Sequence, residues 1–283
     1  MKKQFRVWYE LLVVGILLIF LSLAKAQNPT DDEKIWASFK AWIMTNPMEA
    51  SLKAYGEKLA KEGLSQEEVQ QQLEIIRRIF TEHPEKGVEI TYDRIFSRPL
   101  TGDPEKDGFT STPSVFMIES VQGLELGKAL DVGAGQGRNA VWLAQQGWDV
   151  TAIDISGVGL AVAEANARKA DTSINTVKTV YQDFDFGIEK WDLIVMILSW
   201  APVSDPAFVA RLHASLRPGG VVVFEHVLET EKQSFPPIVQ SLSPNALLSY
   251  FKDFHIQKYE EGVWLGDWGG PPADLVRMIA RKK

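Results

Sequence analysis

An aspartate, three alternating glycines and a second aspartate carry the first chemical information in this chain. Asp131 stands two residues ahead of Gly133, which opens the run Gly133-Ala134-Gly135-Gln136-Gly137, and Asp154 follows Gly133 by 21 positions. Glycines in such a turn accept positive φ and let a ligand approach bare backbone. An acid about 20 residues further on is where a nucleotide-binding fold takes hydrogen bonds from ribose hydroxyls. Binding a dinucleotide asks for G-x-G-x-x-G, so that a pyrophosphate rests on a helix N-terminus. Here the third glycine comes one residue early, and the Asp131 carboxylate would repel a pyrophosphate. The same carboxylate would attract a ligand with a cationic amino-acid end.

These residues need a frame of strands and helices. Ala129–Val132 reads as a strand running into the glycine turn, and Arg138–Ala144 opens a helix. Asp149–Ile153 is a second strand, ending in Asp154, and a helix is expected over Gly157–Lys169. Thr176–Tyr181 reads as a third strand leading to Asp183-Phe184, and Asp192–Ile197 as a fourth, ending at Leu198-Ser199-Trp200. A helix over Pro206–Leu216 and the turn Arg217-Pro218-Gly219-Gly220 introduce the strand Val221–Glu225. A helix after Ser243-Pro244 and strands at Phe254–Tyr259 and Leu275–Ala280 close the chain. Near-continuous apolar strands suit a sheet covered on both faces. Ligands of such sheets bind outside the carboxyl ends of the strands. S-adenosylmethionine, with an ammonium, a sulfonium and no phosphate, suits the acid and glycine pattern. A nicotinamide oxidoreductase is the reading that the glycine spacing and Asp131 disfavour.

The stretch Asp131–Gly137 resembles motif I of class I S-adenosylmethionine-dependent methyltransferases. Its extension Gly135-Gln136-Gly137-Arg138-Asn139 resembles the tellurite-resistance and type-11/12 groups of that family, and Leu216–Gly220 is a second family-like turn. The resemblance covers roughly residues 127–283. It implies an α/β fold, a doubly wound Rossmann-like seven-stranded sheet of order 3-2-1-4-5-7-6 with an antiparallel last strand. By the same resemblance Asp131 orients the amino-acid end of the cofactor, Gly133 and Gly135 allow close approach, and Gly137 packs the helix onto the turn. Arg138 or Asn139 reaches the cofactor's carboxylate, Asp154 takes the ribose hydroxyls, and Ile155 lies beside the adenine. Asp183, or Asp185 two positions on, accepts from the adenine amine while Phe184 packs on the ring. Tyr92, Phe96 and Phe109 come from the segment that crosses the site in similar enzymes, and Trp200 lines the acceptor pocket.

Methyl transfer is an in-line displacement in which alignment supplies about 7–11 kcal/mol, and a base helps only when the acceptor must lose a proton. Glu225, His226 and Tyr92 are the candidates for that base. The histidines at 83, 213, 226 and 255 show no metal-ligand spacing, and no metal is expected. Ser199-Trp200-Ala201-Pro202 stands where amino-methylating enzymes carry Asn/Asp-Pro-Pro-Phe/Tyr. The acceptor expected is therefore a small molecule, and by analogy one with a soft sulfur, selenium or tellurium nucleophile. The alternative is a non-catalytic S-adenosylmethionine-binding or sensor protein.

The whole chain sets wider bounds. Apolar and charged fractions of 45% and 24% are ordinary for a globular protein, so disorder is excluded as the main state. Residues 1–26 hold four of the 30 basic and one of the 37 acidic side chains, so the remainder is more acidic than the net charge of −7. An acidic domain is poorly suited to gripping phosphate backbone, and no nucleic-acid partner is expected. With no cysteine, disulfides and thiolate catalysis are excluded.

Lys2, Lys3 and Arg6 precede an apolar run to Ala24, and Ala24-Lys25-Ala26 is a small-x-small site. Residues 1–26 therefore read as a signal peptide, or as an uncleaved membrane anchor beginning near Val7, with a buried helix of a cytoplasmic protein as the alternative. Export through the signal peptide is the expected localisation. Residues 27–88 read as a helical appendage, with caps at Asn46-Pro47 and Ser65–Glu68, and 89–283 as the methyltransferase domain.

Overall fold

A computed structural model describes residues 30–98, 101, 103, 110–230, 242–266 and 272–283. Residues 1–26, expected to be a signal peptide or anchor, and Phe109 lie outside the described residues. Among those described, no helix is long and apolar enough to cross a membrane. The chain divides into two compact units, 1–82 and 83–283.

The first unit is helical: α1 (Asp31–Met44), α2 (Leu52–Lys61) and α3 (Gln66–Glu82). Thr30 caps α1 and Ser65 caps α3, each in a reciprocal capping box with Glu33 and Glu68. The helices bury Phe39, Ile43, Tyr55, Leu59, Leu73, Ile76 and Ile79. Gly56 lets α2 approach α3, since a Cβ there would stand 3.1 Å from Leu73 Cδ1. The helix start expected at Asn46-Pro47 does not form. Asn46 Nδ2 instead donates to the Trp42 carbonyl at 2.7 Å and closes α1, and Ser51 caps α2.

The second unit opens with α4 (Pro84–Phe96) and α5 (Val115–Val121), followed by β1 (Lys128–Val132), α6 (Arg138–Gln145), β2 (Asp149–Asp154), α7 (Gly157–Lys169) and β3 (Asn175–Lys178). Next come β4 (Trp191–Ile197), α8 (Pro206–Ser215), β5 (Leu216–Val227), α9 (Ala246–Tyr250), β6 (His255–Trp264) and β7 (Ala273–Arg281). Because α4 packs on α7, the units part between Glu82 and His83, six residues ahead of the expected boundary.

The seven strands run in the order β3-β2-β1-β4-β5-β7-β6, as the sequence implied, with β7 antiparallel to both neighbours. Alternation along the strands sends Leu130, Ile194, Val222 and Phe224 to one face and Ala129, Leu193, Val221 and Val223 to the other. Helices cover both faces, so both are apolar. β3 ends at Lys178, three residues short of the expected end. Beyond Thr179 the backbone turns, with Asp183 and Phe184 N–H both on the Val180 carbonyl.

β1 and β4 lie side by side although β2 and β3 intervene in sequence. Their helices leave toward opposite faces there, and the carboxyl ends of the strands open a crevice.

Candidate active site

At the end of β1 the chain makes its tightest turn. Gly133, Gly135 and Gly137 all take positive φ, at 75°, 53° and 77°. At Gly135 a Cβ would meet Phe96 Cζ at 2.9 Å, and at Gly137 it would meet Ala163 Cβ at 2.6 Å. Gly137 thus packs the start of α6 against α7, while Gly135 lets an aromatic ring sit on the backbone.

Four of the loop's N–H groups are already taken. Gly133 and Ala134 both donate to the Ile153 carbonyl, Gly135 to Asp154 Oδ2 at 2.8 Å and Gly137 to the Ala134 carbonyl. The N-terminus of α6 is occupied too, because Asp131 accepts from the Ala140 N–H. A helix N-terminus attracts anions, and here the protein's own carboxylate fills it. A pyrophosphate has no place at this helix.

Asp131 is 2% exposed, and its Oδ2 has no hydrogen-bond partner. Burial pushes its pKa up to about 7, with Arg138 and the Ala140 N–H pulling it down and Asp154 adding to the rise. A buried carboxylate oxygen without a donor calls for one from a ligand. Asp154 is buried as well, and burial raises its pKa; it accepts from Ser156 N–H at 2.7 Å on Oδ1 and from Gly135 on Oδ2. The Ile155 N–H also donates to it, and a carboxylate has about four acceptor positions, so one remains for a ligand hydroxyl.

Four aromatic side chains gather at these two acids. Tyr92 of α4 stacks on Phe96, accepts a hydrogen bond from Trp200, and feels the Asp154 charge. Burial lifts its pKa to about 12. Tyr181 donates its hydroxyl to the Ser199 carbonyl; burial, with Asp154, Tyr92 and Asp131 nearby, holds its pKa well above the ordinary value. Both phenols are hydrogen-bonded beside the two acids.

Leu198 and Trp200 both take positive φ, at 53° and 55°, which costs a non-glycine residue roughly 1–2 kcal/mol each. Between them Ser199 is buried, its hydroxyl unpartnered. Strain of this kind collects where a loop is shaped for a ligand.

The remaining expected residues fall in different places. Ile155 and Phe184 are half-buried, the latter edge-on to Phe186, while Asp183 is exposed in the turn after β3. Asn139 Oδ1 accepts from the Ser114 N–H at 2.9 Å and so ties down the start of α5. Arg138 donates to the Thr112 carbonyl and lies within the fields of Asp131 and Glu225; burial lowers its pKa to about 10. Glu225 is 2% exposed and paired with Arg277, its cross-strand neighbour, whose guanidinium lies over the Phe116 and Trp264 rings. Burial raises the Glu225 pKa, and Arg277 and Arg138 oppose it. His226 is buried on the other face of the sheet, edge-on to Trp200 at 4.6 Å. Tyr181, Ser199, Asp93 and Ser156 were not legible as site residues. Their only sequence signal is nearness to the strand ends or to Tyr92.

The occupied helix N-terminus and the unpaired Asp131 oxygen fit the cationic ligand rather than the dinucleotide. Residues 129–220 match the family described as "Methyltransferase domain". The ubiquinone biosynthesis O-methyltransferase of Pseudomonas syringae pv. tomato is 30% identical over 53% of this chain and 67% of its own length. The chain belongs to the class I S-adenosylmethionine-dependent methyltransferases.

Hemagglutinin 1 of Eikenella corrodens is 32% identical over 63% of this methyltransferase and 62% of its own length. A Haemophilus influenzae protein named "Probable S-adenosyl-L-methionine-dependent methyltransferase TehB" is 26% identical over 48% and 49%. The match thus spans less than two thirds of either relative. The crystal structure of TehB from Haemophilus influenzae superposes with a TM-score of 0.52 at 24% identity, over 59% of this chain and 61% of that one, and shares the fold.

S-adenosylmethionine is the family's methyl donor, and the residues present suit it. The unpaired Asp131 oxygen fits an ammonium, the open acceptor position of Asp154 fits a ribose hydroxyl, and the Gly135 backbone admits close approach.

Proposed function

We propose that this methyltransferase moves the methyl group of S-adenosylmethionine to a small molecule bound against Trp200. The observation that carries this reading is Asp131, a buried carboxylate that blocks an anion at α6 and keeps one oxygen unpaired. The cofactor supplies a methyl group already activated by its sulfonium. Asp131 holds the ammonium, Arg138 the carboxylate, Asp154 the ribose hydroxyls, and Ile155, Asp183 and Phe184 the adenine. Tyr92, Phe96 and Trp200 exclude water around the methyl group, which favours displacement by alignment and desolvation.

The acceptor brings its own nucleophilic lone pair. Glu225 is engaged by Arg277 and His226 is covered by Trp200, so neither is placed as a free base. The protein's acidity argues against a nucleic-acid acceptor. Residues 1–26 export the protein, and the helices between Asp31 and Glu82 form a unit of their own.

Calorimetry on protein starting at Gln27, with S-adenosylmethionine, S-adenosylhomocysteine and NAD, tests the cofactor assignment. Binding of the first two is expected, and binding of NAD alone would overturn it. Transfer of labelled methyl to a panel of thiols, chalcogen oxyanions and phenols tests the acceptor class. Labelling of nucleic acid or protein in place of these would refute it.

A further inference from the structure

One face of α4 meets the cofactor site at four points. Glu89, Tyr92, Asp93 and Phe96 fall at i, i+3, i+4 and i+7, which places them on one side of a helix. Glu89 pairs with Lys178 at the end of β3 at 2.8 Å, Tyr92 meets Trp200, and Phe96 lies on Gly135 and Gly159. The Phe96 carbonyl also accepts from Gln136 Nε2 at 3.3 Å.

Asp93 is the unusual member. It is 3% exposed, and its Oδ1 accepts the Ser156 hydroxyl at 2.6 Å and the Val158 N–H at 3.4 Å. Ser156 is wholly buried and caps α7 by accepting the Gly159 N–H at 3.0 Å, while its own N–H goes to Asp154 Oδ1 at 2.7 Å. Two buried carboxylates therefore share one serine. A serine cap needs no second carboxylate, and placing one beside Asp154 opposes burial of both charges.

We infer that Asp93 is a positioning residue for Asp154, acting through Ser156, so that α4 sets the aim of the carboxylate that receives the cofactor ribose. This rests on the assignment of Asp154 to the ribose. With its hydroxyl proton held by Asp93, Ser156 keeps a lone pair on Gly159 and its own N–H on Asp154. The second Asp154 oxygen is held by Gly135, which fixes the carboxylate at both ends.

The test is a double-mutant cycle read by calorimetry with S-adenosylhomocysteine. The full chain carries Asp93→Asn, Asp154→Asn, both or neither, each checked by thermal melting. Asp93→Asn is expected to weaken binding about tenfold in the parent and by no more than about twofold once Asp154 is asparagine, as expected of a residue acting through another. Equal weakening on both backgrounds, or unchanged affinity in Asp93→Asn, overturns the inference. If Asp93→Asn does not fold, Ser156→Ala breaks the same link and the same cycle applies. A parent that binds no S-adenosylhomocysteine overturns the cofactor assignment itself and is distinct from either result.

Discussion

Replacing Asp154 by alanine separates the ligand's contribution from the fold's. The carboxylate accepts three hydrogen bonds within the protein, from the Gly135, Ile155 and Ser156 N–H groups, and has one acceptor position left for a ribose hydroxyl. A hydrogen bond to a charged group contributes about 1.5–3 kcal/mol. Losing that bond to the cofactor therefore weakens binding by roughly tenfold to a hundredfold. The protein's own stability falls less than those figures suggest, since burial and the nearby Asp93 charge already disfavour an ionised Asp154. Calorimetric titration of Asp154→Ala with S-adenosylhomocysteine should show at least a tenfold rise in Kd, beside a modest change in Tm. A Kd within twofold of the parent would refute the ribose assignment.

Four further outcomes are expected. S-adenosylmethionine should bind more tightly as pH rises from 6 to 8, because Asp131 ionises near 7, and Asp131→Asn should flatten that slope in calorimetry. The sign reverses for the stability of the free protein. Its folded pKa lies above the ordinary 3.8, so the stability held by protonated Asp131 is lost as pH rises from about 4 to 7, and melting of Asp131→Asn should show less of that loss. Gly137→Ala should lower stability by about 2–4 kcal/mol in urea titration, combining left-handed strain with a Cβ 2.6 Å from Ala163 Cβ. Arg277→Met should cost about 3–5 kcal/mol by leaving Glu225 buried and unpaired; an unchanged denaturation midpoint would show the pair to be dispensable.

The carboxyl ends of β1, β2 and β4 were legible in the sequence because each is a local pattern: an apolar run, then an acid or a turn. Asp131, the glycines and Asp154 follow from that pattern and from spacing. The end of β3 was not, since Thr179–Tyr181 continues the β-branched and aromatic character while the backbone turns away. Glu225 and His226 also sit at a strand end, but their neighbours come from β7 and from the turn after β4, which no local pattern announces. The Asn46-Pro47 start failed for a similar reason. Asn46 found the Trp42 carbonyl four residues back and served the preceding helix.

The sequence by itself determined the order of strands and helices, the glycine turn and the charge beside it, because periodicity, φ tolerance and short spacings act within a few residues. Only the tertiary structure decided what those groups face. It brought Ala140 N–H onto Asp131 and left one oxygen unpaired. It also brought Asp93 across 63 residues to share Ser156 with Asp154, and gathered Tyr92, Tyr181 and Trp200 around the two acids. Such contacts arise when packed elements cross, and the sequence separation between them carries no trace of the distance in space.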